Sequence, residues 1–174
     1  MAKKKKAEAR GRLHEAIHNV AVWFAYVGGA IVAAIGIMSV VSIVGRALWA
    51  KPIRGDFELV EIGIAVAGSL FLAYCQLTAG NIFVDIFTIR ASEKSKALMD
   101  KFGALLVGAM FLLVGWRASI GMVEIRHNGE TSMLMGFPIW VGYVCVLPGI
   151  ALAAITAIAQ AFGLIGVSER VSHE

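Results

Sequence analysis

The chain has 174 residues, of which 59% are hydrophobic and 16% charged, with a formal net charge of +4 and a mean hydropathy of +0.77. Soluble domains contain roughly 45–50% apolar and about 25% charged residues, so this composition excludes an ordinary soluble domain and indicates a membrane protein. The small positive charge gives no reason to expect a nucleic-acid partner.

The first segment, residues 1–19, is basic and precedes a long apolar run. Its apolar residues follow helical spacing, and they are Leu13, Ala16, Ile17 and Val20. This pattern predicts an N-terminal amphipathic interfacial helix on the inner leaflet, with a soluble lead-in as the alternative. The run that follows is longer than the about 7–15 residues of a signal-peptide core, so we expect an uncleaved signal-anchor.

Four apolar segments are long enough to cross a bilayer, which requires about 20 residues. The predicted spans are residues 20–46, 57–79, 102–123 and 137–163. The sequence therefore predicts an all-α membrane protein with four transmembrane helices in a single membrane domain, 1–174.

Lysine and arginine are distributed unequally between the two sides of these spans. Eleven lie on the side of the termini and of the loop after the second span, against five on the other side. The positive-inside rule then places both termini in the cytoplasm.

Two glutamates, Glu58 and Glu61, stand three residues apart at the mouth of the second span and share one helix face. Asp56 is predicted to cap the helix, and the glutamates favour its positive N-terminal end. Arg46 and Arg54 are near enough in sequence to pair with them. This structural interpretation is favoured, while a docking or metal role stays open.

Residues 80–101 between the second and third spans are too apolar for a free loop and too charged for a span. We expect them to lie at the membrane interface or against a neighbouring subunit. Small residues recur every four positions in the later spans, which favours close helix packing: Ala104 and Gly108, then Ala153, Ala157 and Ala161. Pro148 is expected to kink the fourth span.

Signals for catalysis are missing from the spans. No Asp, Glu, Lys, Arg or His falls in the middle of a span, so there is no buried carboxylate for proton coupling and no histidine to hold a haem. Cys75 and Cys145 lack metal or disulfide spacing and are expected to be packing residues. We expect neither an enzyme nor a cofactor bound by this chain.

Several short motifs occur in a characteristic order. They are "GRALW" with Arg46, the pair Glu58-Leu59, "AGNIFVD" at 79–85 and "GETSMLMGFPIWVGYVCVLPG" at 129–149. Together they resemble the small membrane subunit of tripartite ATP-independent periplasmic (TRAP) transporters over residues 15–163. The family usually has His where this chain has Asn81, and it often doubles the glutamate where this chain has Phe57.

The resemblance implies a heteromeric complex in the bacterial inner membrane. A periplasmic substrate-binding protein delivers an organic acid, a carboxylate or sulfonate, to a large membrane permease subunit that carries the substrate and sodium sites. The small subunit braces the static scaffold and contributes to docking of the binding protein. The alternatives are a self-sufficient four-helix transporter acting as a homodimer and a membrane redox subunit, and the absence of buried carboxylates and histidines argues against each.

Three sets of residues receive roles on this interpretation. The candidate binding-protein docking residues are Lys51, Arg54, Asp56, Glu58, Arg126 and Glu130. The candidate structural ion-pairing residues are Arg46 and Glu61, with Glu61 expected to pair with an arginine. The candidate phospholipid headgroup contacts are Arg10, Arg12, Arg90, Lys94 and Lys96.

Overall fold

The computed structural model describes residues 2–49, 53–78 and 93–163, and these residues form four long helices. They are α1 (Ala2–Trp49), α2 (Asp56–Leu77), α3 (Glu93–Asn128) and α4 (Trp140–Ala161). Each contains a stretch that is long and apolar enough to cross a membrane. The predicted all-α class and the four spans are confirmed.

The helices lie side by side in the order α1, α2, α4, α3. α2 packs against α1 on one side and α4 on the other, α3 packs on the far side of α4, and α1 touches α4 only marginally. A single row leaves much of each helix uncovered, and large apolar side chains such as Trp23, Ile37 and Trp116 are about two-thirds exposed (70%, 67% and 65%). These surfaces face lipid or another protein rather than a core of this chain.

Small side chains form the helix contacts. Ala153 and Ala157 of α4 are fully buried and Ala104 of α3 is 9% exposed. A methyl group placed on Gly108 would lie 3.1 Å from the Ile158 side chain. The predicted small-residue stripes therefore do permit close packing, but within the same chain: Gly108 joins α3 to α4, and Ala153 packs in a cluster with residues of α1 and α2. They give no evidence of a partner.

The tightest crossing in α4 is at Gly149. Any side chain at this position would overlap the backbone carbonyl of Ser69 in α2. Pro148 lies immediately before it, and α4 continues through both residues. The kink predicted at Pro148 stays a prediction. Gly149, by contrast, allows the backbones of α4 and α2 to touch directly.

α1 differs from the prediction, because no boundary separates an interfacial helix from the first span. One helix runs without interruption from Ala2 to Trp49, a length of ~72 Å against ~30 Å of bilayer hydrocarbon. The basic segment is rich in Ala, Lys, Glu and Arg, which are strong helix formers, and it contains no proline. Ile17 and Ala21 are buried against α2 and α4, so part of the predicted lipid-facing side packs inside the protein.

α3 also begins earlier than expected. Residues 93–101, which the sequence predicts to be part of the loop after the second span, form the start of α3, since Glu, Lys, Ala, Leu and Met favour helix. Arg90 and the rest of the loop lie outside the described residues, as do the side chains of Arg10, Lys94 and Lys96, so their lipid contacts stay predictions; the Arg12 side chain is exposed.

The two cysteines do not pack inside the chain as expected. Cys75 and Cys145 are both exposed on the surface of their helices. Helical period alone did not reveal which face of a span is covered, because the row of helices buries only a narrow strip of each.

Candidate functional site

The acidic end of the molecule is the end at which α1 and α3 finish and α2 and α4 begin. A carboxylate connects α1 to α2 there. Asp56 Oδ2 accepts a hydrogen bond from Ser42 Oγ at 2.6 Å and pairs with Arg46 Nη2 at 3.3 Å. Ser42 is almost fully buried and its Oγ also accepts from the Ile53 backbone N–H at 3.3 Å. These bonds fix the start of α2 against the last turns of α1.

The N-cap of α2 is Gly55, so the prediction that Asp56 caps this helix is wrong by one residue. Gly55 has φ 75°, a left-handed conformation that glycine adopts without strain, and its carbonyl accepts from the Leu59 N–H at 3.1 Å. A side chain at Gly55 would also overlap Met135. Asp56 is thereby the first helical residue, and its Oδ2 atom reaches Ser42 and Arg46 in α1.

Arg46 forms an ion pair with Asp56 rather than with Glu61. Its guanidinium also lies 5.9 Å from the centroid of the Phe57 ring, a cation–π distance. Glu61 is exposed and makes neither an ion pair nor a side-chain hydrogen bond within the described ranges. An arginine partner for Glu61 therefore stays a prediction.

Glu58 holds the connection between α3 and α4, which we call the α3–α4 loop (residues 129–139). Its Oε1 accepts from the Leu134 N–H at 2.9 Å and its Oε2 from the Met135 N–H at 3.2 Å. The loop is a hairpin-like turn in which the Ser132 N–H bonds to the Phe137 carbonyl at 2.8 Å. One carboxylate thus binds both central amides of a loop some 76 residues away in sequence.

The remaining candidate docking residues lie at the same end. Glu130 is exposed and accepts from Asn128 Nδ2 at 3.2 Å, while the Arg126 guanidinium lies 5.1 Å from the Trp140 ring. Arg54 is exposed in the short connection before α2. Lys51 is outside the described residues. The structure brings the described candidates to one end of the molecule, and their docking role stays a prediction.

A groove lies beneath the α3–α4 loop, with a volume of about 1070 Å³. Its apolar walls come from α2, α3 and α4 and include Ala65, Val114, Ala118, Tyr143 and Val146. Three carboxylates, those of Glu58, Glu61 and Glu130, line its mouth, and its lining contains no Lys, Arg or His. We call this feature the acidic groove.

A polar contact between α2 and α4, at the end of the helices opposite the acidic end, was not predicted from the sequence. Gln76 Nε2 donates to Gln160 Oε1 at 2.8 Å, and Gln160 Nε2 donates to the Gln76 carbonyl at 2.9 Å. Both glutamines were visible as polar interruptions of apolar spans, but only the fold shows that they meet. This pair links α2 to α4.

No catalytic constellation occurs in the described parts of the chain. Within residues 2–49, 53–78 and 93–163, no three His, Cys, Asp or Glu side chains are grouped so that they could hold a metal. The arrangement at the acidic end can join helices, hold a loop and present charge.

The comparison with protein families decides what kind of membrane protein this is. The family model described as "Tripartite ATP-independent periplasmic transporters, DctQ component" matches residues 35–166, about three quarters of the chain. The chain belongs to the DctQ family. This confirms the resemblance to the small membrane subunit of TRAP transporters, and it makes the DctQ chain a transport component of the inner membrane.

The match includes both connections at the acidic end and the whole of α2, α3 and α4. It starts within α1, so the basic segment lies outside it. Neither the comparison with curated proteins nor that with solved structures gave a significant match.

Proposed function

We propose that this DctQ chain is the static scaffold subunit of a sodium-driven TRAP transporter that imports an organic acid, a carboxylate or sulfonate. Its partners are a large membrane permease, which carries the substrate and sodium sites, and a periplasmic binding protein. The chain itself binds no cofactor and catalyses no reaction.

The use of buried polar side chains carries this proposal. Apart from the Nδ1 atom of His14 in the basic part of α1, which has no hydrogen-bond partner among the described residues, the buried polar side chains are those of Ser42, Ser69, Gln76 and Thr156. Each bonds within the chain: Ser42 to Asp56, Ser69 to the Val66 carbonyl, Gln76 to Gln160 and Thr156 to the Leu152 carbonyl. Since all four are engaged in the chain's own fold, none is available to bind a substrate or an ion in transit.

The helix row supports the same function. A single layer with uncovered apolar faces suits lateral attachment to a larger membrane protein better than transport through its own interior. Under the positive-inside orientation the acidic end faces the periplasm, where Arg54, Asp56 and Glu130 lie on the side from which a binding protein approaches.

Reconstitution of defined subunits tests the proposal. Vesicles with this chain, the large permease and the binding protein should accumulate substrate under a sodium gradient, and omission of any one of the three should abolish uptake. Uptake by vesicles containing this chain alone would contradict the scaffold role and support a homodimeric transporter. A haem absorbance band in the purified chain would support the redox alternative instead.

A further inference from the structure

The acidic groove carries charge that the described chain does not neutralise. Glu61 lies at its mouth without an ion pair among the described residues. Two arginines at this end have other partners, Arg46 pairing with Asp56 and Arg126 lying over the Trp140 ring. Glu58 and Glu130 line the same mouth and add further negative charge. A cationic side chain is therefore the complementary partner for this groove.

The dimensions of the groove match a helix. Its lining runs from Glu58 to Ala65 along α2, ~10 Å, and from Ile139 to Ile150 along α4, ~16 Å. A volume of about 1070 Å³ over these lengths gives a cross-section of roughly 60–100 Å², comparable with an α-helix ~10 Å wide. With the second span entering the hydrocarbon near residue 57, as the sequence predicts, the ~10 Å of groove along α2 covers about a third of ~30 Å of hydrocarbon, where a soluble protein does not penetrate.

We propose that the acidic groove receives a membrane-spanning helix of the large permease subunit, with an arginine or lysine of that helix paired to Glu61. The inference rests on the proposed function, which supplies the permease as partner. A phospholipid fits less well, since its phosphate would face three carboxylates. Once a helix covers the groove, Glu61 is removed from water, and a charge at that depth requires a paired cation.

Photo-crosslinking of the assembled complex identifies the occupant. A diazirine-bearing aliphatic residue replaces Val146, which lines the groove, and in a matched control it replaces Val123, which is 61% exposed on the other side of α3. We expect a several-fold higher yield of adducts with the large permease from position 146. Adducts from position 146 with lipid or with a second copy of this chain, or equal permease yields from both positions, would overturn the proposal.

Charge removal gives an independent test. Glu61→Gln should lower the amount of large permease recovered with a tagged small subunit roughly tenfold, because it leaves a buried cation without its partner. Glu124→Gln, an exposed position outside the groove, should leave recovery unchanged. Equal membrane levels and equal helix content of the two variants exclude misfolding, and unchanged recovery with Glu61→Gln would contradict the pairing.

The two proposals fail in different ways. If the wild-type chain does not co-purify with a large permease, the scaffold function is wrong. If it co-purifies but crosslinks from position 146 and the Glu61→Gln result both miss the permease, the scaffold function stands and only the occupant of the groove is wrong.

Discussion

At the scale of single residues, the acidic end is built by side chains that each bond in two directions. Ser42 donates to Asp56 and accepts from Ile53, while Glu58 accepts from two successive loop amides. Replacing one of these groups therefore removes a hydrogen-bond partner from at least two others. Asp56 and Glu58 thus have a structural use that their exposed neighbours Arg54 and Glu130 do not share.

Ser42→Ala should destabilise the chain by about 1–3 kcal/mol, because Asp56 and the Ile53 amide lose a partner in a largely buried place. Ser39→Ala is the matched control, and we expect it to change stability by less than ~0.5 kcal/mol, as its side chain makes no hydrogen bond among the described residues. Thermal unfolding of both variants in detergent measures the difference. Equal melting temperatures would show that the α1–α2 connection does not depend on Ser42.

Glu58→Gln should loosen the α3–α4 loop, because an amide side chain offers one acceptor oxygen where the carboxylate offers two. The amides of Leu134 and Met135 should exchange hydrogen roughly tenfold faster, the ratio expected for a loss of about 1.4 kcal/mol in local protection. Hydrogen exchange followed by mass spectrometry on a 129–139 peptide checks this. Glu130→Gln, which leaves both bonds intact, should retain wild-type exchange, and faster exchange in both variants would contradict a specific role for Glu58.

At the scale of helices, the fold is stabilised by close backbone contact at small residues, whereas a soluble core is stabilised by packing of large apolar side chains. α4 presents Gly149, Ala153 and Ala157 to its neighbours, and each is buried. Backbones that approach this closely gain van der Waals contact without relying on water expulsion, which is absent between lipid-embedded helices. The fold therefore depends on small residues at the crossings more than on its many leucines and isoleucines.

Gly149→Ala should separate α2 from α4 and destabilise the chain by ~1–3 kcal/mol or more, because the new methyl group overlaps the Ser69 carbonyl and backbone cannot move aside cheaply. Gly68→Ala is the control on the uncovered face of α2, where nothing lies within 4 Å, and it should be neutral or stabilising by up to ~1 kcal/mol. Melting temperatures and yields of the two variants test the contrast. Tolerance of Gly149→Ala would mean that the helices do not cross here.

At the scale of the whole molecule, the charges at the acidic end divide into two groups. Asp56 and Glu58 are bonded into the fold, so reversing either one would disturb the chain as well as any docking. Arg54 is exposed and lies outside the acidic groove, so reversing its charge tests docking of the periplasmic binding protein alone. Glu130 is exposed but also lines the groove, so its reversal would affect both proposed contacts. Rim charges of this kind mainly alter association rate and its dependence on salt.

Arg54→Glu should reduce uptake by the complete transporter at low ionic strength, while the membrane complex assembles normally, because Arg54 lies outside the acidic groove. The defect should shrink as salt rises, because screening weakens exposed charge pairs over about 10 Å at 0.1 M. Uptake and complex yield across a salt series measure both effects, with Arg12→Glu at the other end of α1 as the control. Wild-type uptake by Arg54→Glu at every salt concentration would exclude docking at this residue.

The sequence by itself determined the four spans, the all-α class and the family, because these depend on the lengths of apolar runs and on motifs local in the chain. It also identified the small-residue stripes and placed Glu58 and Glu61 on one face at the start of the second span. The end of the interfacial segment and the start of α3 were misplaced, since strong helix formers extend both spans through regions whose charge suggested a boundary.

Only the tertiary structure decided how these parts meet. The helix order α1, α2, α4, α3 comes from packing between distant segments, and no period within one helix encodes which neighbour it takes. Three contacts are likewise visible only in the tertiary structure: the hydrogen bonds from the α3–α4 loop to Glu58, the ion pair between Arg46 and Asp56, and the contact of Gly149 with Ser69. Each joins residues far apart in sequence or across a turn, so its geometry exists only after the helices have packed.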